Sequence, residues 1–161
     1  MRIAGTLVLL FAVAGCGGGS KGAKPLTGAE ERELRSKAAG CFERGEYGCA
    51  MEALRVVLQK RSTDPLLLNR FAVAARLRYY QSGDEDYRDQ ELEALRKAAK
   101  LLPGSAVVQV NVGTTCWEMG LRREAARAYR RALELKPKHA DAALIRERIA
   151  HSTKEVEEEE P

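Results

Sequence analysis

Few residues of this 161-residue sequence have the types and spacing that catalysis requires. The two histidines, His139 and His151, have no serine or cysteine beside them in a nucleophile arrangement. The sequence has no phosphate-binding glycine loop before a helix and no CxxC pair for zinc. It therefore predicts a protein that is not an enzyme and that has no cofactor or bound metal.

A run of carboxylates is the remaining candidate for a cation site. It consists of Asp84, Glu85, Asp86 and Asp89. The run lacks the glycine and glutamate placement of a calcium-binding loop. We therefore expect a solvated loop there, with cation binding as the alternative.

The first of the four cysteines, Cys16, ends a short apolar run that begins at Ile3. The run is too short to span a bilayer and is typical of a secretory signal. The residues 13–16, VAGC, resemble the lipobox of bacterial lipoproteins, in which the cysteine is lipid-modified and becomes the N-terminus. This resemblance implies a signal peptide at 1–15, a lipid anchor at Cys16 and, because Gly17 follows, the outer membrane. An ordinary signal peptide with a chance cysteine is the alternative.

The two ends of the mature chain are expected to be flexible. Residues 16–26 contain the lipidated cysteine and a glycine-rich tether, which cannot bury apolar surface. Residues 154–161 form an acidic tail that we expect to be disordered.

The body between these ends is basic. Without Arg2 and the five glutamates after Lys154, 26 basic and 18 acidic residues remain, a net charge of about +8. Such a balance could attract acidic partners, a membrane surface or an anionic glycan. Because the bases are spread along every predicted helix, solvated helix faces are the simpler interpretation, and we expect no nucleic-acid partner.

Residues 106–137 show the clearest pattern of structure. Apolar and small residues recur at helical spacing on both sides of Gly120, which predicts two amphipathic helices joined by a tight turn. The signature residues are Val112, Gly113, Cys116, Ala125, Tyr129, Ala132 and Pro137. Their order and spacing resemble the tetratricopeptide repeat, a helix–turn–helix unit of 34 residues. Gln109 departs from the pattern, since the repeat has a large aromatic residue there.

Two earlier segments repeat this pattern. Thr27 and Glu30 predict a capping box before the first helix, and Asp64-Pro65 predicts the start of the third. The units are expected at about 31–64, 65–105 and 106–139, with an insertion near 81–90 and a capping helix at 140–153. Glu91 occupies a position where the repeat has a small residue. The predicted fold is an all-α solenoid of about three repeats plus a C-terminal cap, a domain spanning 27–153.

Two further cysteines lie on either side of the turn at Gly45. In a helical hairpin, Cys41 and Cys49 would have Cα atoms about 6 Å apart, which suits a disulfide. An exported domain is in an oxidising compartment, so we predict a Cys41–Cys49 disulfide. Two buried thiols are the alternative, and Cys116 is expected to be a core thiol.

The resemblance also implies a concave groove lined by the first helix of each unit, which binds a peptide or helix of a partner. Trp117 is the strongest candidate for an anchor, and its packing against a neighbouring or capping helix is the alternative. The groove candidates are Arg32, Arg35, Ala39, Phe42, Leu66, Asn69, Val73, Arg76, Val107, Val110, Thr114 and Trp117.

The function implied is that of a non-catalytic adaptor. The chain is similar to small lipoproteins with these repeats that assist outer-membrane complexes such as a pilus, a secretin or a motility machine. The expected partner is an envelope protein, and the expected location is the outer membrane facing the periplasm. A recruiter of a peptidoglycan hydrolase is one alternative, and a lipid- or glycan-binding protein is another.

Overall fold

The computed structural model describes residues 26–159, with side chains up to Lys154. This part of the chain contains seven helices and no strand. The helices are α1 (Gly28–Glu43), α2 (Tyr47–Lys60), α3 (Pro65–Ser82), α4 (Asp86–Leu101), α5 (Ala106–Glu118), α6 (Arg122–Leu135) and α7 (Ala142–Glu159). The expected signal peptide, the lipidation site at Cys16 and the tether up to Pro25 lie outside the described residues.

Side chains cap the first helix of each pair. The Thr27 hydroxyl accepts a hydrogen bond from the Glu30 amide at 3.2 Å, and the Glu30 carboxylate accepts one from the Thr27 amide at 2.7 Å. The Asp64 carboxylate accepts hydrogen bonds from the amides of Leu66 and Leu67. These bonds satisfy amide groups that have no partner within the helix. The two starts predicted from the sequence are confirmed.

A glycine reverses the chain after each of these first helices. Gly45, Gly83 and Gly120 have φ angles of 71°, 68° and 75°, in the left-handed region that other residues rarely adopt. Each turn is short, so the following helix packs back against the preceding one. The resulting pairs are α1–α2, α3–α4 and α5–α6, as the repeat pattern predicts.

The inserted residues of the middle pair are largely helical. α3 has 18 residues and α4 has 16, whereas α5 and α6 have 13 and 14. The turn between α3 and α4 occupies only residues 83–85. Both helices of the middle pair are therefore longer than those of the third pair.

The last helix is longer than the sequence analysis allowed. We expected the cap to end near residue 153 and residues 154–161 to be disordered. Instead, α7 continues to Glu159. Lysine and glutamate are good helix formers, so nothing in this stretch ends the helix. No helix among the described residues is both long and apolar enough to cross a membrane.

The helix pairs stack so that each helix contacts its neighbours along the chain. Tyr129, Met51, Leu54, Leu67, Leu95 and Ile145 are the largest fully buried apolar side chains. Gly113 allows α5 and α6 to approach closely, since a Cβ atom there would lie 2.6 Å from the Tyr129 ring.

Candidate partner-binding groove

A cavity of about 410 Å³ lies between α1 and α3. Five of the predicted groove residues line it together, namely Arg35, Ala39, Phe42, Asn69 and Val73. The rest of its lining is Ala38, Glu43, Leu54 and Arg70. The cavity therefore combines apolar walls with two arginines, one amide and one carboxylate.

Arg35 is a fixed cation at this cavity. Its Nε and Nη2 atoms donate to Glu31 at 3.0 and 2.7 Å, and Nη2 also donates to Asp64 at 3.3 Å. Burial acts to lower the pKa of Arg35, but the bonds to Glu31 and Asp64 outweigh it and raise the pKa. Arg32, one turn before it, is exposed and does not line the cavity.

Phe42 and Asn69 are held by contacts within the fold. The Phe42 ring packs edge-on against Tyr47, with centroids 5.9 Å apart. The Asn69 side-chain oxygen accepts a hydrogen bond from the Asn111 amide at 2.8 Å. This bond also joins α3 to α5, so the cavity wall is coupled to the third repeat.

Arg76 is not a free groove cation, contrary to the sequence analysis. Its Nε atom donates to Glu91 at 2.6 Å, and its Nη2 atom donates to the Thr115 hydroxyl at 2.9 Å and to the Asn111 carbonyl at 3.2 Å. Only 16% of its side chain is exposed. These contacts turn the guanidinium into the junction of α3, α4 and α5.

Glu91 is the centre of a buried ion network that the sequence analysis missed. Its side chain is fully buried, and the Thr115 hydroxyl donates to it at 2.5 Å. Arg88 lies 3.5 Å from Glu91 and donates to Glu118 at 2.5 Å. Burial acts to lower the pKa of Arg88, but the bond to Glu118 and the charges of Glu118 and Glu91 together outweigh it and raise the pKa. Glu91 at a small-residue position was the one signal of this network.

Trp117 packs beneath the capping helix instead of standing open in the groove. Arg148 and His151 of α7 contact its ring, with the Arg148 guanidinium 5.5 Å away and the His151 ring edge-on at 5.4 Å. The Arg122 guanidinium also lies over the Trp117 ring, 4.1 Å from its centroid. The packed alternative considered for this residue is therefore the one the structure contains.

Two other groove candidates of the third unit make internal contacts, whereas Val107 at the start of α5 is 58% exposed. The Thr114 hydroxyl accepts a hydrogen bond from Tyr129 at 3.1 Å, and Val110 packs against the core. The cavity that predicted groove residues line thus lies between α1 and α3.

The cysteines have different environments. Cys41 and Cys49 are joined by a disulfide across the α1–α2 turn, with Cα atoms 5.9 Å apart. Cys116 is buried and forms no disulfide. Burial raises the pKa of the Cys116 thiol to about 12, with a smaller contribution from the Glu124 carboxylate, so this thiol stays protonated.

Solved structures match this architecture. The TPR domain of Sgt2 from Aspergillus fumigatus is 21% identical, with a TM-score of 0.63 over 83% of this chain and 82% of that one. The first TPR of Spaghetti (RPAP3), bound to an HSP90 peptide, is 18% identical with a TM-score of 0.65 over 81% and 96%. PcrH, in complex with the chaperone binding region of PopD, is 12% identical with a TM-score of 0.67 over 81% and 96%. The chain has the tetratricopeptide-repeat fold.

The solenoid resembles these proteins in backbone arrangement, while its sequence identity to them is low. No family model matches the chain, and no curated protein was found to be related to it. The low identities mean that the tetratricopeptide fold, and not the specificity of any one neighbour, is what the comparison establishes.

Proposed function

We propose that this protein is a non-catalytic adaptor that binds a segment of a bacterial envelope protein between α1 and α3. A lipid on Cys16 anchors it in the outer membrane, facing the periplasm. Its role is to help an outer-membrane complex, such as a pilus, secretin or motility machine, to assemble or to function.

The cavity between α1 and α3 carries this proposal. Its volume of about 410 Å³ falls within the range of sites that enclose a ligand group. Phe42, Ala39 and Val73 supply apolar walls, and Arg35 and Arg70 supply charge at the rim. Two similar structures hold a segment of another protein, an HSP90 peptide in one and a region of PopD in the other. An extended or helical segment with a small apolar side chain and a nearby carboxylate suits this cavity best.

Site-specific photo-crosslinking in cells tests the binding site. A photoreactive residue replaces Val73 in the cavity, and a matched control replaces Val56, which is exposed on α2 away from the cavity. We expect one envelope protein to be captured from position 73 and not from position 56. Phe42→Ala should abolish that capture. Equal capture from both positions, or none from position 73, would refute binding in this cavity.

The captured protein also separates the functional alternatives. A secretin, pilus or motility component supports the assembly role, whereas a wall hydrolase supports the recruiter role. The anchor has an independent test, since Cys16→Ser should release the protein from the membrane fraction. Unchanged fractionation of that variant would refute lipid anchoring without bearing on the cavity.

A further inference from the structure

The solenoid has two edges of different composition. Consecutive helices run in opposite directions, so the connections between them alternate between the edges. We name as the proximal edge the start of α1 and the connections 61–64, 102–105 and 136–141. The distal edge contains the glycine turns at 44–46, 83–85 and 119–121.

Hydrogen bonds confirm that these segments lie together at each edge. At the proximal edge, Arg61 in the α2–α3 connection donates to Glu31 in the first turns of α1 at 3.1 Å. At the distal edge, Gln81 at the end of α3 donates to the Gly45 carbonyl at 2.9 Å. Tyr80 likewise donates to Glu118 at the end of α5 at 2.9 Å.

Exposed apolar side chains are concentrated at the proximal edge. Four of the seven large hydrophobic residues that are exposed in the described chain lie in the first or last turn of a helix there. They are Leu66, Val107, Leu144 and Leu101, with exposed fractions of 64%, 58%, 47% and 40%. Only Tyr80 and Leu121 lie at the distal edge, and the Tyr80 hydroxyl is bonded to Glu118. Leu66 and Val107 do not line the cavity between α1 and α3.

The charges of the two edges also differ. Exposed lysines at the proximal edge include Lys100, Lys136 and Lys138. Most carboxylates there are engaged within the protein: Glu31 binds Arg35 and Arg61, Asp64 caps α3, and Glu30 belongs to the capping box of α1. The exposed Asp141 lies 3.6 Å from the His139 ring nitrogen. The distal edge instead carries an exposed acidic run at residues 84–86.

The chain also joins the fold at the proximal edge, because α1 starts there. Leu26 comes ten positions after Cys16, and a chain of that length spans at most about 35 Å when fully extended. α3, with 18 residues, is about 27 Å long, so the distal edge lies roughly that distance from the proximal edge.

We propose that the proximal edge is a membrane-contact surface that binds anionic phospholipid. The exposed leucine and valine side chains lie at the boundary between headgroups and acyl chains, and the lysines contact lipid phosphates. This proposal rests on the anchor proposed at Cys16, which holds the edge within reach of the bilayer. The acidic distal edge then faces away from the anionic surface, which fixes the orientation of the solenoid.

Photo-crosslinking to lipid tests this orientation in the full chain. A diazirine amino acid replaces Val107 in one variant and Leu121 in the matched control at the distal edge. After irradiation in cells, mass spectrometry measures phospholipid adducts on the purified protein. We expect several-fold more phospholipid adduct from position 107 than from position 121.

A charge reversal tests the contribution of the lysines. The triple variant Lys100→Glu, Lys136→Glu and Lys138→Glu should reduce lipid adducts from position 107 to the level of position 121. The control Lys37→Glu, Lys97→Glu and Arg127→Glu changes the net charge equally at exposed positions within the helices, and it should leave the adducts unchanged. Circular dichroism of each variant verifies that the helices remain folded.

Several results would overturn the proposal. Equal lipid adducts from positions 107 and 121, or none from either, would mean that the edge has no defined contact with the membrane. A protein adduct from position 107 in place of lipid would mean that another chain covers this edge. An equal loss of lipid adducts from position 107 in both triple variants would mean that overall charge, and not the lysines of this edge, determines lipid contact. Each outcome differs from failure of the anchor, which is measured by fractionation of Cys16→Ser.

Discussion

Replacing Glu91 with alanine is the sharpest test of how the second and third repeats are held together. The substitution removes the acceptor of Arg76 and of the Thr115 hydroxyl and leaves both donors in a buried site. Breaking a buried ion pair by removing one partner typically costs about 3–5 kcal/mol. Arg76 keeps 16% exposure and Arg88 keeps its bond to Glu118, so part of that cost is recovered by water and by the remaining pair. We therefore expect Glu91→Ala to lower the free energy of unfolding by about 2–4 kcal/mol.

Urea denaturation followed by far-ultraviolet circular dichroism measures this change. A loss of this size corresponds to a melting temperature roughly 8–16 °C lower for a domain of this length. Glu93→Ala is the matched control, because Glu93 is exposed on the same helix two residues later. Its effect should stay within about 0.5 kcal/mol.

A double variant separates the unpaired charge from the lost contacts. In Arg76→Met with Glu91→Leu, apolar side chains replace the buried pair, which is often neutral or stabilising. We expect its stability to return to within about 1 kcal/mol of the parent protein. The reasoning is wrong if Glu91→Ala costs no more than Glu93→Ala, or if the double variant is as unstable as the single one.

Three further predictions concern the cysteines and the close helix contact. Because burial raises the pKa of Cys116 from 9.0 to about 12, alkylation of the native protein at pH 8 should be about a thousandfold slower than for an exposed thiol; rapid labelling would contradict the burial. Because folding raises this pKa, the stability contributed by the protonated thiol is fully present below pH 9 and is lost between pH 9 and 12, at up to about 1.4 kcal/mol per pH unit. Denaturation curves at several pH values, compared with those of Cys116→Ala, measure this loss. The Cys41–Cys49 disulfide closes a short loop, so reduction should lower the free energy of unfolding by about 2–3 kcal/mol, and labelling of both cysteines without a reductant would disprove the bond. Gly113→Ala should lower the melting temperature despite the helix propensity of alanine, since its Cβ would meet the Tyr129 ring at 2.6 Å, and the loss should shrink in a Tyr129→Leu background.

The architecture could be predicted from the sequence because its signals are local. Thr27 with Glu30 and Asp64 with Pro65 start helices, and a glycine ends each first helix. Such caps depend on residues only a few positions apart, so spacing alone identifies them. The repeat spacing predicted an insertion near 81–90, but the length of the helices there depends on packing of α3 against α4, which no local signal contains.

The groove residues were harder to predict because their partners are distant in the sequence. Position in the repeat predicted that Arg76 and Trp117 are groove residues. It could not indicate that Glu91, 15 residues after Arg76, binds its guanidinium. Nor could it indicate that Arg148 and His151 cover Trp117. A buried glutamate at a small-residue position was visible, but only the arrangement of three helices reveals what it binds.

These long-range contacts determine which part of the groove can accept a partner. The cap closes the third unit over Trp117, and the Glu91 network fixes α3 against α4 and α5. At the other wall, Arg35 ties α1 to the α2–α3 connection, and Gln81 ties the end of α3 to the α1–α2 turn. The two walls of the cavity are therefore fixed at both ends before any partner arrives. A preformed cavity avoids much of the ordering cost of association, so a short segment can bind there without a large interface. The polar contacts that sequence analysis missed are thus the ones that shape the proposed binding site.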